Sequence, residues 1–212
     1  MSNTVTDRNV GAWVPRTSLG RMVLENKIAS IDEVFNQGYK IHEVEIVDSL
    51  LPDLQQEVLD ISLVQKQTDA GEKSRFRALV AVGNSNGYFG IGVGKAKQVR
   101  DAIQKGNIDA KLNIFPVRRG CGSWECDCGE LHSVPFKVSG KCGSVTIELI
   151  PGPKGLGIVA TDIAKTIIRL AGIKDCWTKC FGSTRTAQSL AFATNNAMEN
   201  TYRILTPKDW MR

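Results

Sequence analysis

Cys121, Cys126, Cys128 and His132 place three thiols and an imidazole within twelve residues, spaced C-x4-C-x-C-x3-H in a glycine-rich stretch. Four such donors can make a tetrahedral zinc site. The pattern is not the usual paired C-x-x-C, so two readings stand side by side: a structural zinc staple, or a loop ordered on a nucleic acid without metal. A catalytic metal is not indicated, because it needs an open coordination position and an adjacent base. Cys142, Cys176 and Cys180 read as small buried residues or substitute ligands, since disulfides are disfavoured in a reducing compartment.

A second constellation lies upstream. From Gly83 to Lys97 the chain packs Gly83, Gly87, Gly90, Gly92 and Gly94 with Lys95 and Lys97. Backbone without Cβ atoms can approach a phosphate chain closely. Two nucleotide motifs fail by letter. A phosphate loop ending at Gly94-Lys95 finds Phe89 where its first glycine belongs and Ala96 where its hydroxyl belongs, and the dinucleotide fingerprint started at Gly90 meets Lys95 at its last glycine. With only His42 and His132 in the chain, no nucleophile, base and orienting group can be assembled, and no enzyme activity is expected.

The elements that must position these residues follow from periodicity. Arg75 to Val82 reads as a strand with Phe76, Ala78, Val80 and Val82 on one face, and Asn84-Ser85-Asn86-Gly87 reads as its turn. From Lys95 onward, Ala96, Val99, Ala102, Ile103 and Ala110 recur near helical spacing. This predicts a basic helix whose N-terminus adds N–H groups and a positive dipole end beside Gly94 and Lys95. The reading is an anion site for a polymer backbone, with Gly87, Gly90, Gly92 and Gly94 as the points of close approach.

Charge agrees. Residues 1–70 hold 6 Lys/Arg against 11 Asp/Glu, whereas residues 71–212 hold 21 against 11, within a net charge of +5 for the 212 residues. The basic part is where RNA is expected, with Lys73, Arg75, Arg77, Lys95, Lys97, Arg118 and Arg119 as its cluster. Lys154, in Pro151-Gly152-Pro153-Lys154-Gly155, either reaches RNA or sits in a tight turn chosen for backbone reasons. Gly182-Ser183-Thr184-Arg185-Thr186 offers hydroxyls and an arginine suited to phosphate, but its Ser and Thr are better read as caps of the helix that follows. No apolar run approaches the ~20 residues of a membrane span, and Met1 to Arg16 lacks a signal-peptide core, so a cytosolic protein without membrane contact is expected.

The order hairpin, Gly87-Tyr88-Phe89-Gly90-Ile91-Gly92-Val93-Gly94-Lys95-Ala96-Lys97, then helix, resembles the universal small-subunit ribosomal protein S-five family. Gly143 to Ala160 and Leu170-Ala171-Gly172-Ile173-Lys174-Asp175 resemble that family's second domain. The likeness spans roughly residues 50 to 205. The long N-terminal region and the ending Tyr202 to Trp210 are of the archaeal and eukaryotic type, the archaeal above all.

The resemblance implies an α+β chain. Residues 1–50 would form an extension with short helices, including a capping box Ser30-Ile31-Asp32-Glu33. Residues 51–119 would form a double-stranded-RNA-binding-like domain with a first strand near Val58 to Thr68 and a closing segment Leu112 to Val117. Residues 120–205 would form a β-β-α-β-α domain with a left-handed crossover, and 206–212 a tail. Within that second domain, strands are expected at Ser133 to Val138 and Ser144 to Ile150, a helix from Thr161 or Asp162 ended by Gly172, and another from Ala187 to Tyr202.

By the same resemblance the chain would be a structural constituent of the small ribosomal subunit in the cytoplasm, holding ribosomal RNA by phosphate contacts. It would lie near the messenger RNA entry side, against S-four and near S-three and S-eight, and support assembly and decoding accuracy. Ala70 to Phe76 would be the hairpin loop reaching towards the base of the subunit head. No cofactor is required, and a structural zinc is the one metal the residues allow. A freestanding double-stranded-RNA-binding regulator is the alternative, since it would share hairpin and helix but not the second domain.

Overall fold

The computed structural model describes residues 13–126 and 128–203; the expected tail at 206–212 lies outside them. The chain divides into two compact units, the first ending at Pro52 and the second beginning at Asp53.

The first unit has three short helices, α1 (Ser18–Leu24), α2 (Ile31–Asn36) and α3 (Val44–Leu50). Leu19, Val23, Ile28, Ile31, Val34, Ile41, Ile46 and Val47 are buried. The Thr17 hydroxyl caps α1 by accepting from the Gly20 N–H at 3.1 Å. Glu43 gathers the segment before it, taking hydrogen bonds from Trp13 Nε1 at 2.9 Å, Arg16 N at 2.9 Å and Thr17 N at 2.7 Å. The capping box expected at Ser30 forms by half. The Ser30 side chain makes no cap bond, while Glu33 reaches back one residue further, to the Ala29 N–H at 3.2 Å.

The second unit opens with an antiparallel sheet in the order β1 (Gln55–Thr68), β2 (Gly71–Gly83), β3 (Tyr88–Ala96) and β4 (Phe115–Pro116). Helix α4 (Val99–Leu112) crosses between β3 and β4. It begins four residues later than the apolar spacing predicts: Lys95 and Ala96 are held in the sheet, opposite Arg77 and Phe76. Strand pairing therefore outcompetes the helical spacing there.

The mixed second sheet has the order β5 (Val138–Cys142), β6 (Val145–Pro151), β8 (Cys176–Phe181), β7 (Ile158–Val159), with β7 parallel to β8. Helix α5 (Asp162–Leu170) connects those two, and α6 (Ala187–Glu199) follows, ending in a 3-10 turn at Asn200–Arg203. Gly172, with φ +84°, turns the chain after α5 as its position predicts. The expected strand at Ser133 to Val138 does not form. Ser133 makes only an isolated bridge to Gly120, and its hydroxyl serves the backbone by donating to Asp175 O at 2.5 Å and accepting from Gly152 N at 3.2 Å.

Both faces of the first sheet are covered where β2 pairs with β3, whereas β1 stays largely exposed. Ala78, Val80 and Val82 pack with Ala102 and Ala110 of α4. Leu79, Ala81, Phe89 and Ile91 share one continuous core with Ile147 and Leu149 of the second sheet and with Ile167, Ile168, Leu170 and Leu190 of α5 and α6. The turn after β2 locks this arrangement. Ser85 N donates to Leu170 O at 2.9 Å, and Arg119 donates to Asn86 O at 3.0 Å, Asn86 Oδ1 at 2.7 Å and Gly172 O at 3.4 Å. Among the described residues no helix is long and apolar enough to cross a membrane.

Candidate RNA interface and cysteine–histidine cluster

Alternation along β2 puts Lys73, Arg75 and Arg77 on one face, and the register adds Lys95 opposite Arg77 and Lys66 opposite Lys73. Lys66, Lys73, Arg75, Lys95 and Lys97 are exposed. β3 pairs with β2 only as far as Phe76 and Ala96, so the hairpin carrying Lys66, Lys73 and Arg75 runs past the sheet. The outcome is a basic stripe leading from the body to a projecting tip. Arg77, at its root, is half-buried and tied down, donating to Ser62 Oγ at 3.0 Å and to Gln188 Oε1 of α6 at 2.7 Å. Lys66 escapes a reading by clusters because seven residues separate it from Lys73; only the hairpin register joins them.

The glycines play a different part from the one expected. Gly87, Gly90, Gly92 and Gly94 are all buried. A Cβ on Gly90 would lie 2.4 Å from Ala110 O, on Gly92 2.1 Å from Ala110 N, and on Gly94 1.9 Å from Ala102 O. The close approach that Gly90, Gly92 and Gly94 permit is that of α4 to β3, while Gly87, with φ +102°, takes a backbone conformation in the turn before β3 that side chains disfavour. Arg119 is likewise committed to Asn86 and Gly172, while Arg118 stacks its guanidinium 4.9 Å from the Tyr202 ring centre. Lys154 is exposed and pairs with Glu130 at 2.7 Å.

The other candidate set does converge. One donor atom from each of Cys121, Cys126, Cys128 and His132 lies within 4.8 Å of all the others, with His132 buried and the thiols half-buried. His132 Nδ1 is 2.9 Å from Asp175 Oδ2, and Nε2 faces Cys126 Sγ at 3.8 Å. A buried carboxylate on Nδ1 fixes the tautomer that leaves Nε2 as a lone-pair donor. Asp175 Oδ1 also accepts from Gly155 N at 3.1 Å and Gly157 N at 2.8 Å, binding the Lys154 loop to the cluster. The backbone N–H of Lys154, followed by Cys128, lowers the Cys126 thiol to about 6. For Cys128 the Glu130 N–H pulls down, but the neighbouring Cys126 and Cys121 and burial push it up to about 11. One thiolate is thus already favoured within the group, as a metal ligand requires. Asp175 was not foreseen: 43 residues separate it from His132.

Two family models match this chain, "Ribosomal protein S5, N-terminal domain" over residues 54–118 and "Ribosomal protein S5, C-terminal domain" over residues 140–210. Curated relatives named "Small ribosomal subunit protein uS5" match it nearly end to end. That of Thermofilum pendens is 59% identical over 200 residues, covering 94% of this chain and 99% of its own length. This chain belongs to the ribosomal protein S5 family. The S5 protein of Saccharolobus solfataricus is 55% identical over 212 residues, covering 100% of this chain and 99% of itself, and that of Aeropyrum pernix is 61% identical over 199 residues, covering 94% and 91%. These relatives make the type archaeal. The S5 family models leave residues 119–139 unmatched, so the cysteine–histidine cluster lies between the two S5 segments, whereas the basic hairpin and Asp175 lie within them.

Proposed function

We propose that this chain is a non-catalytic, structural constituent of the small ribosomal subunit in the cytoplasm, gripping ribosomal RNA by its phosphates. The observation that carries this reading is the basic stripe of Lys66, Lys73, Arg75 and Lys95, set on one face of an S5-family hairpin that projects past its sheet. Cations on a stiff arm read RNA shape and backbone charge, not base sequence. Lys97, Lys154 and Arg118 extend the contact, and Arg77, Arg119 and the buried glycines Gly87, Gly90, Gly92 and Gly94 act indirectly by holding the arm and the sheet in place. The site in the subunit is near the messenger RNA entry side, against S-four and near S-three and S-eight, where it supports assembly and decoding accuracy.

Lys73→Glu and Arg75→Glu each are expected to weaken incorporation into small subunits. The salt dependence of ribosomal RNA binding should flatten by about one unit of slope for each phosphate that is no longer neutralised. Gradient sedimentation and salt titration measure both. Normal incorporation with an unchanged slope in both variants would remove the arm from the RNA interface, and wild-type protein sedimenting free of subunits would favour a freestanding regulator.

The cluster is proposed to hold one structural zinc through Cys121, Cys126, Cys128 and His132. Its support is the donor set, three thiols and an imidazole already gathered, with a carboxylate behind the histidine. Zinc would cross-link the 121–132 loop. Elemental mass spectrometry of the purified chain after a mild chelator wash is expected to find about one zinc per molecule, lost in the Cys126→Ser, Cys128→Ser double variant. No zinc in either would leave a loop ordered by its own hydrogen bonds and by RNA.

A further inference from the structure

The outer face of the second sheet carries chemistry that the basic arm does not use. Its inner face is covered by α5 and α6, and Cys176 of β8 is buried there. On the opposite side, alternation brings Trp177, Lys179 and Phe181 out together, Trp177 44% and Phe181 46% exposed. Across the sheet, Trp177 lies in register with Ile150 and Val159, Lys179 with Glu148, and Phe181 with Thr146. Beyond β6, Ser139 is level with Glu148 and Lys141 with Thr146. The result is two aromatic platforms with a lysine between them.

Charge selects the occupant. Among the described residues the strands of this face and their flanks carry Lys137, Lys141 and Lys179 against Glu148, which is already paired with Lys137 at 3.0 Å, while Glu199 of α6 lines the edge beside Lys141 and Glu130 pairs with Lys154. Lys179 Nζ lies over the face of the Phe181 ring, 5.0 Å from its centre, a cation–π contact that an incoming base would have to displace or meet from the other side of the ring. Trp177 is braced from below, its Cδ1 close over Gly152 in the loop that bears Lys154, and the exposed Arg185 follows four residues after Phe181. The face is small. Three rows on β6 and β8, two of them continued by β5 and one by β7, cover on the order of 200 Å², about a quarter of the ~800 Å² that one side of a standard protein interface buries. A few unpaired nucleotides fit that area, and base stacking on aromatic side chains flanked by cations is how single-stranded RNA is held.

We propose that this face binds an unpaired segment of RNA, with Trp177 and Phe181 each stacking one base and Lys179 and Lys141 meeting the phosphates. The two rings stand about 13 Å apart along the strand, far enough to take different bases. The proposal rests on the chain being an RNA-binding protein but not on the hairpin contact. It is a second RNA site of different specificity.

The test measures binding of the full chain to two probes, a short oligouridylate and a blunt RNA duplex. Trp177→Ala and Phe181→Ala are each expected to weaken oligouridylate binding about 5- to 150-fold, with duplex binding unchanged and with Trp177→Tyr restoring affinity. Lys179→Glu leaves the rings in place, so it serves even where an alanine variant folds poorly; it should weaken oligouridylate binding and flatten its salt dependence. Lys73→Glu should do the reverse, affecting the duplex. Unchanged oligouridylate binding in the Trp177, Phe181 and Lys179 variants would overturn the proposal, and so would a photo-crosslinker at position 181 that captures protein and not RNA in assembled subunits. Wild-type protein binding neither probe would instead overturn the broader RNA reading.

Discussion

Gly92→Ala is expected to destabilise the chain by about 3 kcal/mol, the upper end of overpacking costs, from one added methyl group. At a strand position with ordinary φ, glycine to alanine normally stabilises by about 0.4–1 kcal/mol, because it restricts the unfolded chain. Here the sign reverses. The new Cβ would lie 2.1 Å from Ala110 N, 2.3 Å from Gly106 O and 2.7 Å from Asp109 C. All three are backbone atoms of α4, which cannot rotate aside as a side chain would. The helix must lift from β3, which strains the hydrogen bond from Val93 N to Asp109 Oδ2 at 2.8 Å and opens the layer of Ala78, Val80, Ala102 and Ala110. For a chain of this size, ~3 kcal/mol corresponds to a Tm lower by about 6–12 °C. Thermal unfolding by circular dichroism measures it, with Lys95→Ala on the exposed edge of the same strand as a control expected to stay within about 0.5 kcal/mol of wild type. A Tm for Gly92→Ala at or above that of wild type would show that the helix is not seated on the glycine face.

The same residues show what a sequence discloses and what it withholds. Gly90, Gly92 and Gly94 recur with period two, the period of a strand face, and that signal was present in the letters. Glycine permits close approach to anything, so the letters alone did not say whether phosphate or helix backbone fills the space. The α4 boundary failed for a related reason: Ala96 fits a helical stripe, but its pairing with Phe76 is a property of the hairpin register. Secondary elements with a clear period, β6, α5 and α6, were legible close to their observed bounds, whereas β2 begins at Gly71, four residues before the expected Arg75: most of the segment read as the hairpin loop, Ala70 to Phe76, is strand paired with β1. The strand expected at Ser133 to Val138 was not, because Ser133 is spent on Asp175 O and Gly152 N, partners brought near only by the tertiary fold. Family membership was legible from the glycine–lysine motif. Lys66 and Asp175 were not, since cross-strand register and a separation of 43 residues connect them to their partners.

Asp175 makes the sharpest division between holding the fold and holding a metal. Its buried carboxylate accepts from His132 Nδ1, Gly155 N and Gly157 N, while the Asp175 and Lys174 N–H groups both donate to His132 O, at 3.1 and 2.8 Å. Two loops distant in sequence are thereby joined through one side chain. Asp175→Ala strands three donors, His132 among them fully buried, and each unsatisfied group costs about 1–3 kcal/mol. A total loss near 3–5 kcal/mol is expected, read as a lower urea midpoint. Asp175→Asn separates the two roles. The amide oxygen can still accept from Gly155 and Gly157, so most of the stability should remain. The amide NH2 placed against Nδ1 is a donor, which turns Nδ1 into an acceptor and puts the imidazole proton on Nε2, the nitrogen facing Cys126. Zinc affinity should then fall about 10- to 100-fold, measured by competition with a chromogenic chelator on the folded variant. If Asp175→Asn bound zinc as tightly as wild type, His132 would not be a ligand and the cluster would be reduced to its three thiols.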